Sequence, residues 1–597
     1  MGMRKESILY TVTPSDPSGH RMTIQLLIQK PSSTGQVLSL PAWIPGSYLI
    51  RDFSRQIEQI SATCRNRPVA LRKTGDHTWR CAPVTGPLLV EYTVYAWDLS
   101  VRGAHVDERH AFFNGTSVFL CVQGQEALPC HVKLCPPPHA RNWKVYTSLP
   151  EAAGHADAAP RHGFGMYRAP DYDALIDHPV EMGTPQVARF RVHGAPHELV
   201  FTGVIPNLDL QRIAVDVRRI CSTQISFFEP DTHTAPFLDS ADRYVFMTTV
   251  TDNGYGGLEH RASTALMASR RDLPTVGRTD TGEGYQTFLG LVSHEYFHTW
   301  NVKRIKPAAF APYNLTRSTP TTLLWVFEGF TSYYDDLMLL RAGVITEADY
   351  LRMVGKTISS VHSAPGRFKQ SVAESSFDAW TRYYKQDENS PNALVSYYTK
   401  GSLVALGLDI TLRQATDGRR SLDDVMHLLW ERYGRDFYQG GGKGVPEKAL
   451  PGLIREATGI DVSSFIERYV MGREDVPLDT LLAHQGIALS WKPTNNLPSL
   501  QARIKVEQGE SKLATVYEGG AAHQAGLSAG DTLIALDGLR VSDAASLNQL
   551  LAAYQPGDVV QAHVFRRDEL RVFSLTLAAP PESECVLTRI EPAPGTQ

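Results

Sequence analysis

The sequence predicts a multidomain α+β protein: a β-sandwich-like N-terminal part over residues 1–167, a mostly helical part over 168–478, and a small part of strands and turns over 484–580. Three observations carry that reading. Apolar residues alternate with polar ones near the start, recur at helical spacing from about residue 208, and give way to short glycine-punctuated runs after about residue 484. At 597 residues the chain is also too long for a single core.

In "RMTIQLLIQK" the set Met22, Ile24, Leu26 and Ile28 alternates with Thr23, Gln25 and Gln29, and "VEYTVYAW" repeats the two-residue period near residue 95. "PSDPSG" and "CPPPHA" read as turns between such strands. The period then changes. "LDLQRIAVDVRRICSTQISFF" places Leu208, Ile213, Val217 and Ile220 on one side of a helix, and "LLWVFEGFTSYYDDLMLLRAG", "KGSLVALGLDITLRQ" and "LDDVMHLLWERYG" continue the pattern. The β-branched run "RYVFMTTVT" suits a strand and makes this middle part α+β. Glycine-rich "YQGGGKGVPEK" has Gly444 after Lys443, where a phosphate loop needs Ser or Thr, and no strand before it, so it reads as a loop between helices.

Composition excludes several classes of partner. With 59 Lys and Arg against 63 Asp and Glu, the formal charge of -4 gives no electrostatic case for nucleic acid or an anionic membrane. No window supplies the roughly 18 apolar residues of a membrane helix, and "MGMRKESILYTVTPSD" has no apolar core of a signal peptide. A cytoplasmic protein is the expectation. Gly2 is not followed by the Ser or Thr that acylation requires at position 6, which is Glu6. Seven cysteines, with no CxxC pair, argue against both a disulfide framework and a thiolate zinc site.

The C-terminal part contains "VYEGGAAHQAGLSAGDTLIALDGLRVSD", a short helix "AASLNQLLAAY" and the turn "QPGD". Ala525-Gly526-Leu527, Gly530-Asp531 and Gly538 resemble the hairpin pattern of a PDZ domain. Such domains bind an extended peptide C-terminus by strand addition. The alternative is a domain that serves only as an intramolecular brace.

The chemistry concentrates in "LVSHEYFHTWNVKRIKP". In a helix, His294 and His298 lie four residues apart on one face, so both rings can reach one metal ion. Glu295 then stands beside the metal, where a general base for water activation belongs. A third ligand is expected on a facing helix, and Glu328, a carboxylate inside the apolar run "TTLLWVFEGFTSYYDD", fits. Asp335 follows seven residues later, either as a partner to the outer nitrogen of a ligating histidine or as a solvated helix residue. Two histidines and one glutamate leave a fourth position for water that attacks a carbonyl. For the oxyanion, "LVSYYTKGSLVALG" offers Tyr398, with Tyr397 as the other choice.

Together, "HEYFHTWNVKRIKP", "WVFEGFTSYYDD", "GYGGLEHRAST", "YYTKG" and the PDZ-like segment resemble the glycyl aminopeptidase family of gluzincin metallopeptidases. "PAWIPGSYLIRDFSR" and "YAWDLSVRGAHVDERHAFFNGTS" resemble that family's N-terminal domain, so the likeness covers nearly the whole chain. The resemblance implies a thermolysin-like, mostly helical catalytic domain between a β domain and a PDZ domain. It implies removal of N-terminal residues, with preference for glycine and alanine, from peptides with a free N-terminus. It implies one zinc per chain on His294, His298 and Glu328, Glu295 as base, and Tyr398 as the tyrosine of a Tyr-x-Lys-Gly motif. Gly256, Gly257 and Glu259 correspond to the Gly-x-Met-Glu-Asn exopeptidase motif of the broader aminopeptidase N-like superfamily, with Leu258 and His260 in place of the usual Met and Asn. Glu259 would hold the substrate's α-amine by a charge-assisted contact, and the glycines would let backbone approach the substrate. Two rivals remain at this stage: a zinc endopeptidase whose PDZ domain captures substrate C-termini, and a non-enzymatic PDZ protein with a structural zinc. The second has no use for Glu295 or an open fourth position.

Overall fold

The computed structural model describes residues 7–138 and 142–590. Gly2, and His139 and Ala140 of the "CPPPHA" turn, lie outside the described residues. The chain divides into two compact units: Met1–Thr319 with Tyr334–Ile345 and Met426–Pro446, and Pro320–Tyr333 with Thr346–Val425 and Glu447–Gln597.

The first unit opens with three antiparallel-rich sheets. The largest has seven strands, with Ile8–Asp16, Arg21–Ile28 and Leu88–Tyr95 adjacent at its centre. Met22, Ile24, Leu26 and Ile28 are all fully buried, as the alternation requires. Val180–Gly183 pairs with His110–Phe113 in a four-stranded sheet. A mixed five-stranded sheet follows, ordered Gln186–Val192, Ala195–Thr202, Tyr244–Thr251, Ser263–Ser269 and Gly256–Glu259. Val200, Val245, Met247 and Leu258 from this sheet join the same hydrophobic core as the N-terminal strands. That shared core fixes the hairpin carrying Glu259.

Helix Leu210–Phe228 buries Ile213, Val217 and Ile220 completely. Leu208 lies before it, because the Asp209 side chain accepts the Arg212 N–H and starts the helix there. Gln224 donates to both the carbonyl and hydroxyl of Ser293 at 2.9 Å, tying this helix to Glu283–Phe297. Tyr244–Thr251 is the expected strand.

The second unit contains helices Glu347–His362 and Val372–Phe377, each opened by a capping box, and Thr399–Ala415. Its C-terminal sheet runs Ala502–Glu507, Glu510–Val516, Thr532–Leu536, Val559–Arg566 and Glu569–Thr576, around a core that includes Leu513, Leu533, Val560, Val564 and Leu575. Gly526 is the left-handed cap (φ 90°) of a short helix, Ala521–Ala525, that the hairpin pattern does not reveal. Buried Asp531 accepts from Ser528 N–H and pairs with Arg566, which explains the Gly-Asp step as a turn lock. No helix among the described residues is long and apolar enough to cross a membrane.

Candidate metal centre and active site

Helix Glu283–Phe297 is buried almost all round: Leu289, Val292 and Tyr296 are fully enclosed, and Ser293 donates its hydroxyl to the Asp335 carbonyl at 2.8 Å. Its rotation is therefore fixed by packing. His294 lies in the last turn and His298 at the cap, with right-handed helical backbone, so the i, i+4 relation survives to the end of the helix. Their Nε2 atoms face each other at 3.0 Å. Both outer nitrogens are held: His294 Nδ1 is 2.8 Å from Asp335 Oδ2, and His298 Nδ1 is 2.7 Å from the Asn301 carbonyl. Carboxylate or carbonyl behind each imidazole sets the tautomer that leaves Nε2 as a lone-pair donor, the arrangement a metal ligand needs. Burial pushes the Asp335 carboxyl up from its ordinary range against the pull of His294.

Glu295 and Glu259 are buried in the same region, at 4% and 3% exposure, and one ligand atom from each lies within 4.8 Å of the other and of a His298 nitrogen. Oε1 of Glu259 has no hydrogen-bond partner among the described residues. A buried carboxylate oxygen in that state is costly unless a charged donor arrives. Gly257 packs directly against the Glu295 carboxylate: a Cβ there would overlap Oε1 and the carboxyl carbon. The glycine thus makes room for Glu295 as well as for any ligand.

The residues around Glu259 explain how it is held. His260 Nδ1 lies 3.0 Å from Asp177 Oδ1, which also accepts from Lys303 Nζ at 2.9 Å, while Asp177 Oδ2 accepts the Arg261 N–H at 3.1 Å. Burial alone would raise the Asp177 pKa, but Lys303, His260 and Arg261 hold it well below the usual carboxylate range. His260 therefore anchors the hairpin to the N-terminal segment. Above Glu259 sits Gly46 in left-handed backbone (φ 91°), where an added Cβ would strike both carboxylate oxygens. If Glu259 anchors a substrate's α-amine, Gly46→Ala should keep the fold and lower kcat/KM for free-amine substrates on the order of 10²-fold, because a displacement of about 1 Å at such a group is enough. Steady-state kinetics beside a thermal melt checks this; wild-type kinetics would show that Gly46 does not shape the site.

Glu328 belongs to the second unit. It is 1% exposed, inside a π-helical turn, Trp325–Gly329, that runs directly into helix Phe330–Arg341. Single π turns insert a residue and re-aim side chains, often at functional positions. Gly329 packs on Gly401 and on the Tyr397 carbonyl with no room for a side chain. Tyr397 is wholly buried, and that burial, with the nearby Tyr384 and Glu328, raises its pKa well above the ordinary value. Tyr398 is half-buried, its hydroxyl 3.2 Å from that of Tyr384. Asn301, Gly46 and Asp177 were not singled out by sequence reasoning. Asn301 and Gly46 lie inside motifs it quoted; nothing local marks Asp177.

The sequence matches the family model for the Peptidase M61 N-terminal domain over residues 9–184, that for M61 glycyl aminopeptidase over 287–404, and that for a PDZ domain over 498–577. A crystal structure of an aminopeptidase N family protein from Idiomarina loihiensis is similar at 41% identity and TM-score 0.92, covering 98% of each chain. The chain belongs to the M61 glycyl aminopeptidase family. This M61 protein is thus a metallo-aminopeptidase, with an N-terminal β-rich domain, a helical catalytic domain and a C-terminal PDZ domain. An M1 zinc metallopeptidase from Deinococcus radiodurans is a more distant match at 13% identity and TM-score 0.47, covering 80% of this chain and 96% of that one, too slight a likeness to bear on the chemistry. A mutant of that enzyme bound to a Tyr-Ser-Ala substrate matches at 14% identity and TM-score 0.46, covering 79% and 95%. No curated protein matches this M61 chain.

Proposed function

We propose that this metallo-aminopeptidase is zinc-dependent and removes N-terminal residues, glycine and alanine foremost, from peptides with a free α-amine. The observation that carries the reading is the imidazole pair with Nε2 atoms 3.0 Å apart and both outer nitrogens already held. This donor set fits zinc, which takes neutral imidazole and carboxylate oxygen. His294, His298 and Glu328 would hold one catalytic zinc, with Asp335 behind His294. Burial of Glu328 in an apolar turn supports its role, since such a carboxylate is stable only when neutralised. Zinc in this position supplies a Lewis acid and brings the pKa of water near neutrality.

The protein's own residues do the rest. Glu295 takes the proton of the attacking water and delivers it to the leaving amine. Glu259 pairs with the substrate's α-ammonium and sets the chain end one residue from the scissile bond. Gly256 and Gly257 leave the strand open to substrate backbone. Tyr398 donates to the oxyanion; its partial exposure favours it over the enclosed Tyr397.

Residues 1–167, 168–478 and 484–580 are proposed as the working parts. Strand Ala502–Glu507 lies at the edge of its sheet among the described residues, which supports capture of a peptide C-terminus there by strand addition. Seven free thiols support a cytoplasmic location. Chelation should abolish hydrolysis of glycyl and alanyl chromogenic substrates, and zinc should restore it. Tyr398→Phe should lower kcat by about 10²-fold with little change in KM, because its hydroxyl meets charge present only in the transition state. If Tyr397→Phe shows that loss and Tyr398→Phe does not, the two roles exchange.

A further inference from the structure

We propose that the N-terminal domain carries a second divalent-cation site, of the zinc class, formed by His105, Asp107 and His110 with Glu181 behind His110. The hairpin geometry builds it. Strands Ala104–Val106 and His110–Phe113 pair with Ala111 opposite Val106 and Phe112 opposite His105. Asp107 follows directly after the strand that carries His105, and its Oδ2 comes within 3.3 Å of the His105 ring. The turn brings His110 beside them, since the Asp107 N–H donates to the His110 carbonyl at 3.0 Å.

Asp107 divides its oxygens. Oδ1 accepts the N–H groups of Arg109 and His110 at 2.8 and 3.0 Å, which fixes the turn, and Oδ2 is left facing His105 Nε2 at 3.3 Å. One ligand atom from each of the three residues lies within 4.8 Å of the others. With metal–ligand bonds of about 2.0–2.1 Å, the edge of a tetrahedral site is about 3.3–3.4 Å, so the measured His105–Asp107 separation is already that of two ligands.

The surroundings repeat the pattern of the catalytic pair. The neighbouring strand Val180–Gly183 sets Glu181 opposite Phe112, and Glu181 Oε1 lies 3.1 Å from His110 Nδ1 while accepting from Thr202 Oγ1 at 2.9 Å. A carboxylate behind Nδ1 leaves His110 Nε2 as the ligating nitrogen. His105 is clamped by Trp97, stacked on it at 4.8 Å, and His20 stacks on Trp97 at 3.6 Å. Nδ1 of His105 is buried with no hydrogen-bond partner among the described residues. The His105 ring is therefore held on its Nε2 side, where either a proton or a cation joins it to Asp107 Oδ2. His105 and His110 are 3% and 7% exposed, whereas the Asp107 side chain keeps 21%, an opening for the ion and for a water as fourth ligand. The rival account is a pair of ion pairs, His105–Asp107 and His110–Glu181, with no cation.

Zinc stoichiometry of the full chain decides between them. Loaded with zinc and dialysed, the wild type should hold two per chain by elemental analysis. The His294→Ala/His298→Ala chain should keep one, and His105→Ala/His110→Ala should also keep one while still hydrolysing alanyl chromogenic substrates. Zinc should raise the melting temperature of His294→Ala/His298→Ala. A wild type that holds no zinc, or a His105→Ala/His110→Ala chain that holds as much zinc as the wild type, overturns the proposal. Should that variant not fold, cobalt titration of the wild type, followed by its visible bands, distinguishes one equivalent from two. If the catalytic assignment fails instead, His294→Ala/His298→Ala matches the wild type in metal while His105→Ala/His110→Ala still loses one.

Discussion

Glu295→Gln should retain its zinc and its fold but lose turnover by roughly 10²–10⁴-fold, the usual worth of positioned proton transfer. The amide has the shape of the carboxylate and fits against Gly257, where there is no room for a larger group. It is not a base. Because Glu295 is 4% exposed in a helix whose rotation is fixed by packing, no bulk carboxylate takes its place. The loss should fall on kcat, with KM nearly unchanged, since the proton moves only in the reacting complex. Near wild-type turnover in Glu295→Gln, with metal content verified, would remove Glu295 from the base role.

His298→Ala and Glu328→Ala should each lose one zinc per chain relative to the wild type, and activity should fall to background. A site of three protein ligands that loses one is left with two and no geometric closure. His298 also spans from the site to the Asn301 carbonyl at 2.7 Å, so its removal leaves that buried carbonyl without its ring partner. Asp335→Asn should be milder, lowering zinc affinity by roughly 10–100-fold, because it alters the partner of His294 and not a ligand. Elemental analysis after dialysis reads all three. Full metal content in Glu328→Ala would move the third ligand elsewhere.

The helix that carries His294 and Glu295 and ends at His298 was legible in the sequence because these residues are local to it, and period alone relates them. Strand Arg21–Ile28 and the core face of Leu210–Phe228 were legible for the same reason. What stayed hidden depends on contacts far apart along the chain. Gly46 covers Glu259 across 213 positions, and Asp177 anchors His260 from 83 positions away; no periodicity encodes either. The π turn at Trp325–Gly329 was invisible because nothing in its five residues distinguishes a π turn from an α turn, and the close approach of Gly329 to Gly401 is a contact between distant parts of the chain. Leu208 was assigned to a helix that begins after it, where Asp209 capping outweighs the apolar spacing.

The measurement closest to the central claim compares matched glycyl and alanyl chromogenic substrates, free and N-acetylated, on wild type and Glu259→Ala. An acetylated terminus brings bulk and no charge to a buried carboxylate whose Oε1 has no hydrogen-bond partner among the described residues. Wild type should cleave the free-amine substrates and fail on the acetylated ones. Glu259→Ala should lose on the order of 10²-fold in kcat/KM on the free amines, mainly through KM, with zinc content unchanged. Efficient cleavage of acetylated substrates by the wild type, or unaltered kcat/KM in Glu259→Ala, would contradict an α-amine anchor beside the metal.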